Sequence, residues 1–274
     1  MKKYSLLLFL IGCLWMPNTF SAKVDTVLTF SSSMNKKIPA IVITPDTYNN
    51  ETQFPVVYLL HGHSGNYTSW TNTSDEAKTM ADHHNLIIVC PDGDKDSWYF
   101  DSPMDSTSRY ETYVAKELVE WIDNNYKTIS NKKGRAITGL SMGGHGALYL
   151  AFRHQDVYGA CGSMSGGVDI RPFPNNWGMK NHLGNQSEHP ENWEKNTVMN
   201  MMHLLTSNSL AITIDCGTED FFYDVNVRLH EELTYRNISH TFISRPGAHN
   251  WDFWRTSVKY HALFFAEYFN QKSQ

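Results

Sequence analysis

Residues 138–146 read TGLSMGGHG. Ser141 stands between Gly139 and Gly143, Gly144 and His145 follow, and the preceding run RAITGL (135–140) is short and apolar enough for a buried strand. The residues after it suit a helix. A serine at a strand-to-helix turn, with little bulk on either side, is the setting of a nucleophile elbow. The same G-x-S-x-G pattern also occurs as a plain glycine-rich turn, so reading Ser141 as a nucleophile requires partners elsewhere in the chain.

Around this stretch the chain alternates between strand-like and helix-like segments. Two strands are expected at 24–31 and 38–44, then FPVVYLLH (54–61), NLIIVCP (85–91), 135–140, YGACGSMS (158–165), LAITIDCG (210–217) and HTFISRP (240–246). Most of these are near-continuously apolar, as suits strands covered on both faces. Between them, Val114, Leu118, Trp121 and Ile122 share one face of a helix over 109–126, and Trp254, Val258, His261 and Phe265 share one over 251–269. The pattern predicts an α/β fold with a mostly parallel central sheet, helices on both faces and an antiparallel edge. Ligands in such sheets bind beyond the C-terminal strand ends. Residues 166–208, with RPFPNNWG and a helix-like HPENWEKNTVMNMM, exceed an ordinary connection and predict a small lid-like insertion.

A serine hydroxyl needs a base, and in this strand order the base follows an acid. His249, in SRPGAHNWDFW between the last strand and the last helix, is the candidate base, with Gly247 freeing the loop to bend. The acid is expected after strand 210–217, in IDCGTEDFFYD. Asp215 lies within the strand and Asp224 at a helix start, which leaves Asp220, with Glu219 in reserve. The oxyanion of an acyl-transfer intermediate needs two backbone donors. These are assigned to the amides of Met142 and of His63, in HGHSGNYTSW (61–70). A His61/His63 metal pair lacks a third ligand at any obvious spacing. Asp92, Asp94 and Asp96 alternate like the start of a calcium loop, but the twelfth position is Pro103, so a polar turn is the better reading. Trp98 and Tyr99 just after that turn, Trp177 in the insertion and Trp251 beside His249 are candidates to line the cleft and stack on a sugar or aromatic acyl group, as is Trp193; core packing is the competing role for each. No metal or organic cofactor is called for.

The 274 residues are 41% hydrophobic and carry a formal charge of −5 without a basic run, which suits one domain over 23–274 and argues against a nucleic-acid partner. Residues 1–22 (two lysines, a short apolar stretch, then Pro17 and small residues) resemble a secretory signal peptide cut after Ser21 or Ala22; a lipobox-like LIGC ending at Cys13 is the rival. A secreted or periplasmic location follows. Past the leader, nothing is apolar for long enough to span a bilayer. Cys90, Cys161 and Cys216 sit in or beside strands and are expected as free core thiols, although one pair can still bridge.

Taken together, YLLHGHSGNYTSW, PDGDKDSWYFDS, ITGLSMGGHGAL, DCGTEDFFYDVN and PGAHNWDFW resemble, in order, the esterase D-like branch of the α/β-hydrolases. That branch includes tributyrin, feruloyl and acetylxylan esterases, S-formylglutathione hydrolases and antigen 85 mycolyltransferases. The likeness runs over 24–269. It implies a Ser141, Asp220 and His249 triad, oxyanion donors at Met142 and His63, and hydrolysis of small or oligosaccharide esters. An acetylated or feruloylated plant polysaccharide fragment is the expected substrate. An acyltransferase, and a non-catalytic carbohydrate-binding protein on the same fold, are the alternatives.

Overall fold

The computed structural model describes residues 22–271. The leader expected over 1–22 therefore lies, but for Ala22, outside the described residues, as does Cys13. Eight strands form one sheet: β1 (Lys23–Ser31), β2 (Lys36–Thr44), β3 (Val56–Leu60), β4 (Ile87–Pro91), β5 (Arg135–Gly139), β6 (Ala160–Met164), β7 (Ala211–Gly217) and β8 (Thr241–Arg245). Their spatial order is β1-β2-β4-β3-β5-β6-β7-β8. β1 and β2 pair antiparallel, as do β2 and β4, and every later pairing is parallel. The helices are α1 (Ser69–Thr73), α2 (Glu76–His84), α3 (Tyr110–Thr112), α4 (Leu118–Asn125), α5 (Met142–Arg153), α6 (Met179–Leu183), α7 (Pro190–Lys195), α8 (Tyr223–Tyr235) and α9 (Trp251–Gln271).

Strand alternation divides the apolar runs between two cores. Val56, Tyr58, Leu60 and Ile137 face one side, against Leu118 of α4, Ala147 and Leu150 of α5 and Leu229 of α8. Val57, Leu59, Ala136 and Ala160 face the other, against Met80 of α2 and Val258 and Phe265 of α9. Burial on both faces is why these strands read as continuous hydrophobic sequence. This is the α/β-hydrolase arrangement, and each predicted strand is present. The helix expected over 109–126 contains a π-helical turn at Tyr113–Glu117 between α3 and α4. There Glu117 accepts from the Ser32 hydroxyl (2.7 Å) and the Ser33 amide (2.8 Å), fastening the β1–β2 hairpin tip.

β3 lies between β4 and β5, so the chain leaves it toward one edge, then crosses back to continue toward the other. This reversal opens a crevice above the C-terminal ends of β3 and β5, where Leu60 pairs with Gly139. Both candidate motifs, HGHSG and GLSMG, start there. The insertion holds α6, α7 and a 3₁₀ turn at Val198–Leu204, the last two standing where one helix-like run was expected over 189–202. It is fastened to the segment after β4: Trp98 Nε1 donates to the Trp177 carbonyl (3.1 Å), and His182 Nε2 lies 3.4 Å from Asp96. Cys90, Cys161 and Cys216 are buried and free. No described helix is long and apolar enough to cross a membrane.

Candidate active site

Ser141 joins β5 to α5 with φ 54° and ψ −118°, a strained backbone for a residue with a side chain. Its amide donates to the Met164 carbonyl (2.9 Å), which holds the turn against the neighbouring strand. The turn also needs its following glycine. A Cβ on Gly143 would lie 2.6 Å from the His61 carbonyl oxygen and 2.8 Å from that of Leu60. The start of α5 thus packs directly on the backbone leaving β3, and the hydroxyl is lifted into the crevice.

Asp220 and His249 reach the same point from the loops after β7 and β8. His249 Nδ1 lies 2.8 Å from Asp220 Oδ2 and 3.0 Å from Oδ1, while Nε2 lies 2.9 Å from Ser141 Oγ. The Asp220 side chain is fully buried and also accepts from the Phe222 amide (2.8 Å). A carboxylate on Nδ1 fixes that nitrogen as the proton bearer and leaves Nε2 to accept from the serine. The two loops are tied together: the Thr218 amide donates to the Arg245 carbonyl (3.0 Å) and the Glu219 amide to that of Gly247 (2.9 Å). Glu219 is exposed, which leaves Asp220 as the acid against His249. Asp215 is buried inside β7, where burial raises its pKa to about 6 against the opposing pull of Arg245, 3.5 Å away.

The two residues assigned from sequence as oxyanion donors adjoin Ser141: Met142 follows it in the chain, and His63 lines the same cleft. Met142 opens α5, so its amide has no acceptor within the helix. Gly62 approaches the elbow closely enough that a Cβ there would lie 3.3 Å from Ser141 Cβ, and His63 is the next residue in the chain. The next amides are committed, Ser64 to the Lys95 carbonyl (2.7 Å) and Gly65 to the Gly62 carbonyl (3.0 Å). Among the described residues, the His63 and Met142 amides donate to no protein acceptor. His61 is buried: its Nδ1 lies 2.8 Å from the Gly62 carbonyl and its Nε2 accepts from the Gly93 amide (2.8 Å), so it pins the loop after β3 to that after β4.

A cleft of about 500 Å³ opens over Ser141 and His249. Its lining combines His63, Ser64, Ser69 and Thr73 with four rings, Trp177, Phe221, Trp251 and Trp254, of which Trp251 packs edge-on against Trp70 of α1 (ring centroids 5.1 Å). Trp177 and Trp251 are therefore where the sequence placed them. Trp98 and Tyr99 are not, and their assignment is corrected. Both backbones take positive φ (51° and 61°), turning the rings inward, and the two side chains are buried. Tyr99 donates to the His61 carbonyl (3.1 Å), and Trp98 packs edge-on against His145. Trp193 is also core, its indole N–H bound to the Gly184 carbonyl (3.0 Å). Phe221 and Trp254 were not anticipated; their adjacency to Asp220 in EDFF and to Trp251 in WDFW was the available signal. A larger cavity of about 720 Å³, bounded by Glu111, Arg153 and Lys195, is lined by neither serine nor cysteine.

The sequence signature of the Esterase family, described as "Putative esterase", matches residues 31–264. The chain belongs to this family. Among curated proteins, Esterase Rv1288 of Mycobacterium tuberculosis (strain ATCC 25618 / H37Rv) is 32% identical over 150 residues, 53% of this chain. The match spans only 32% of that relative's length. An acetyl esterase of Caldicellulosiruptor saccharolyticus is 23% identical over 214 residues, 74% of this chain and 79% of that protein. Among solved structures, a ferulic acid esterase is 28% identical with a TM-score of 0.78, covering 91% of this chain and 99% of that one. This member of the esterase family thus shares its fold, over 91% of its length, with a protein named as a ferulic acid esterase.

Proposed function

We propose that the protein is a serine carboxylesterase that removes acetyl, feruloyl or other short acyl groups from plant polysaccharide fragments, working outside the cytoplasm after loss of its leader. The observation that carries this reading is the unbroken chain from Asp220 through His249 to Ser141 Oγ, at 2.8 and 2.9 Å, opening into the cleft. His249 Nε2 takes the serine proton as Oγ attacks the ester carbonyl, and the Met142 and His63 amides receive the negative oxygen. His249 returns the proton to the departing alcohol, leaving an acyl-enzyme. Water, activated by the same nitrogen, releases the acid. Asp220 orients the ring and stabilises the imidazolium.

The cleft lining supports a neutral ester. It contains no Asp, Glu, Lys or Arg, so a substrate with several fixed charges would lose hydration without gaining a partner. The lining combines aromatic rings with hydroxyl-bearing residues, a mixture that suits an acyl group together with a sugar. Initial rates on aryl acetate, aryl butyrate, methyl ferulate and acetylated xylan fragments test the reading. Hydrolysis lost in Ser141→Ala is expected; equal rates in both proteins, or no turnover of any ester, would refute it. Acyl-sugar products on adding acceptor sugars would redirect it toward transfer. A serine-directed fluorophosphonate should label the protein at Ser141, whereas a pure binding protein would stay unlabelled.

A further inference from the structure

Phe221 is the odd member of its loop. Asp220 and Phe222 on either side are buried, yet Phe221 is 54% exposed at the cleft mouth, where a polar residue would be better solvated. Its ring lies between two others. The His249 imidazole is 4.2 Å away at an interplanar angle of 39°, and the Trp177 indole is 5.7 Å away and nearly parallel at 16°. Two further rings touch the imidazole edge-on, Phe222 at 78° and Trp254 at 87°. Of these contacts, Phe221 is the closest and the nearest to parallel.

We infer that Phe221 is a positioning residue for His249, an aromatic spacer that holds the imidazole toward Ser141 and links its setting to Trp177 on the substrate wall. The inference rests on the serine esterase reading of this site. Hydrogen bonds to Asp220 and Ser141 fix both nitrogens of His249 but leave the ring free to tilt about the line joining them. A ring against the imidazole face opposes that tilt. When the imidazole gains the serine proton, the π-face beside it also favours the cation. Trp177 supplies the far support, since its carbonyl is held by Trp98 Nε1 and its backbone takes a positive φ of 47°. The titratable groups near His249 are Asp220, bonded to it, and His63, which lines the same cleft; at the start of α9 Asp252 and Arg255 pair with each other (3.2 Å), and the residues that α9 and the insertion give to the cleft are tryptophans. A pH shift on changing Phe221 therefore reports the lost ring.

Phe221→Leu, which keeps apolar bulk and removes the π-face, is compared with Phe221→Tyr, which restores the ring. Full kcat and KM profiles against pH would be measured on a small aryl acetate, with Tm as a folding control. For Phe221→Leu we expect kcat down about tenfold with KM within about twofold. The acid limb of kcat/KM should move about 0.5 pH unit lower, as the imidazolium loses its π contact. Phe221→Tyr should recover both. An unchanged kcat and acid limb in Phe221→Leu would overturn the inference, and so would equal losses in the Leu and Tyr variants. Wild-type protein that hydrolyses no ester would instead remove the esterase reading itself, and this inference with it.

Discussion

Two parts of the cleft around Ser141 are built on different terms. The elbow side is backbone: Ser141 at positive φ, the opening amide of α5 and the β3 loop pressed against it with no side chain between. The rest is largely aromatic: Trp177, Phe221, Trp251 and Trp254, drawn from the insertion, the loop after β7 and α9. Backbone placement tolerates almost no change, because a single added methyl group meets carbonyl oxygens. Ring placement tolerates adjustment, because each ring is one of several. On the proposed reading the first governs whether chemistry occurs and the second mainly on what, with Phe221, against His249, bearing on both.

Variants in the two parts should therefore differ in kind as well as size. Ser141→Ala removes the nucleophile and should lower kcat on the order of 10⁶-fold on any ester, with Tm held or raised. Asp220→Asn leaves the bulk but permits the wrong tautomer of His249, and a loss on the order of 10⁴-fold in kcat is expected in steady-state assays. Gly143→Ala should cost about 10²-fold or more in kcat with a lowered Tm, since its Cβ would press on the Leu60 and His61 carbonyls; an active, stable variant would break the contrast. Trp177→Ala belongs to the other part. It should raise KM for methyl ferulate about 3- to 10-fold while kcat on aryl acetate changes by less, in line with the worth of one aromatic contact. A tenfold loss of kcat on every substrate would instead show that Trp177, through Phe221, governs His249 as strongly as Phe221 itself.

The smallest expected effect concerns two buried histidines beneath the elbow. His261 Nδ1 lies 2.8 Å from the Thr138 hydroxyl, and His145 Nδ1 lies 3.0 Å from the Gly167 carbonyl. Burial lowers the pKa of His261 to about 3; for His145 burial outweighs that hydrogen bond and leaves the pKa at about 4. Both are neutral when folded, so their contribution to stability is full above the unfolded value near 6.5 and is lost as pH falls below it. Tm should stay level above pH 7 and fall by several degrees between pH 6.5 and 4. His261→Gln should flatten part of that slope, and an unaltered slope would assign acid sensitivity elsewhere.

The same contrast explains what could be read in advance. Strands such as VVYLL and RAITG announce themselves because burial on both faces leaves only apolar residues acceptable. Ser141, Asp220 and His249 follow strands in a fixed order, which made their meeting point legible from chain position. The aromatic wall was harder, because whether a ring faces a cleft or a core depends on distant packing. Trp98 and Tyr99 follow a strand end, where cleft residues belong, yet positive φ at both sends them under α5. Phe221 sits one residue past the acid and points outward, a direction that the EDFF sequence does not encode. The π-helical turn at Tyr113–Glu117 was equally hidden, because its residues keep an ordinary amphipathic helical pattern.

The left-handed backbone at Ser141 sets stability against activity at one position. Glycine adopts that conformation without strain, so Ser141→Gly would make a dead enzyme that outlasts the living one on heating, by about 1 kcal/mol or somewhat more. Selection for thermal robustness alone would discard the hydroxyl. On the proposed reading, a serine held at this turn keeps turnover at some cost to durability.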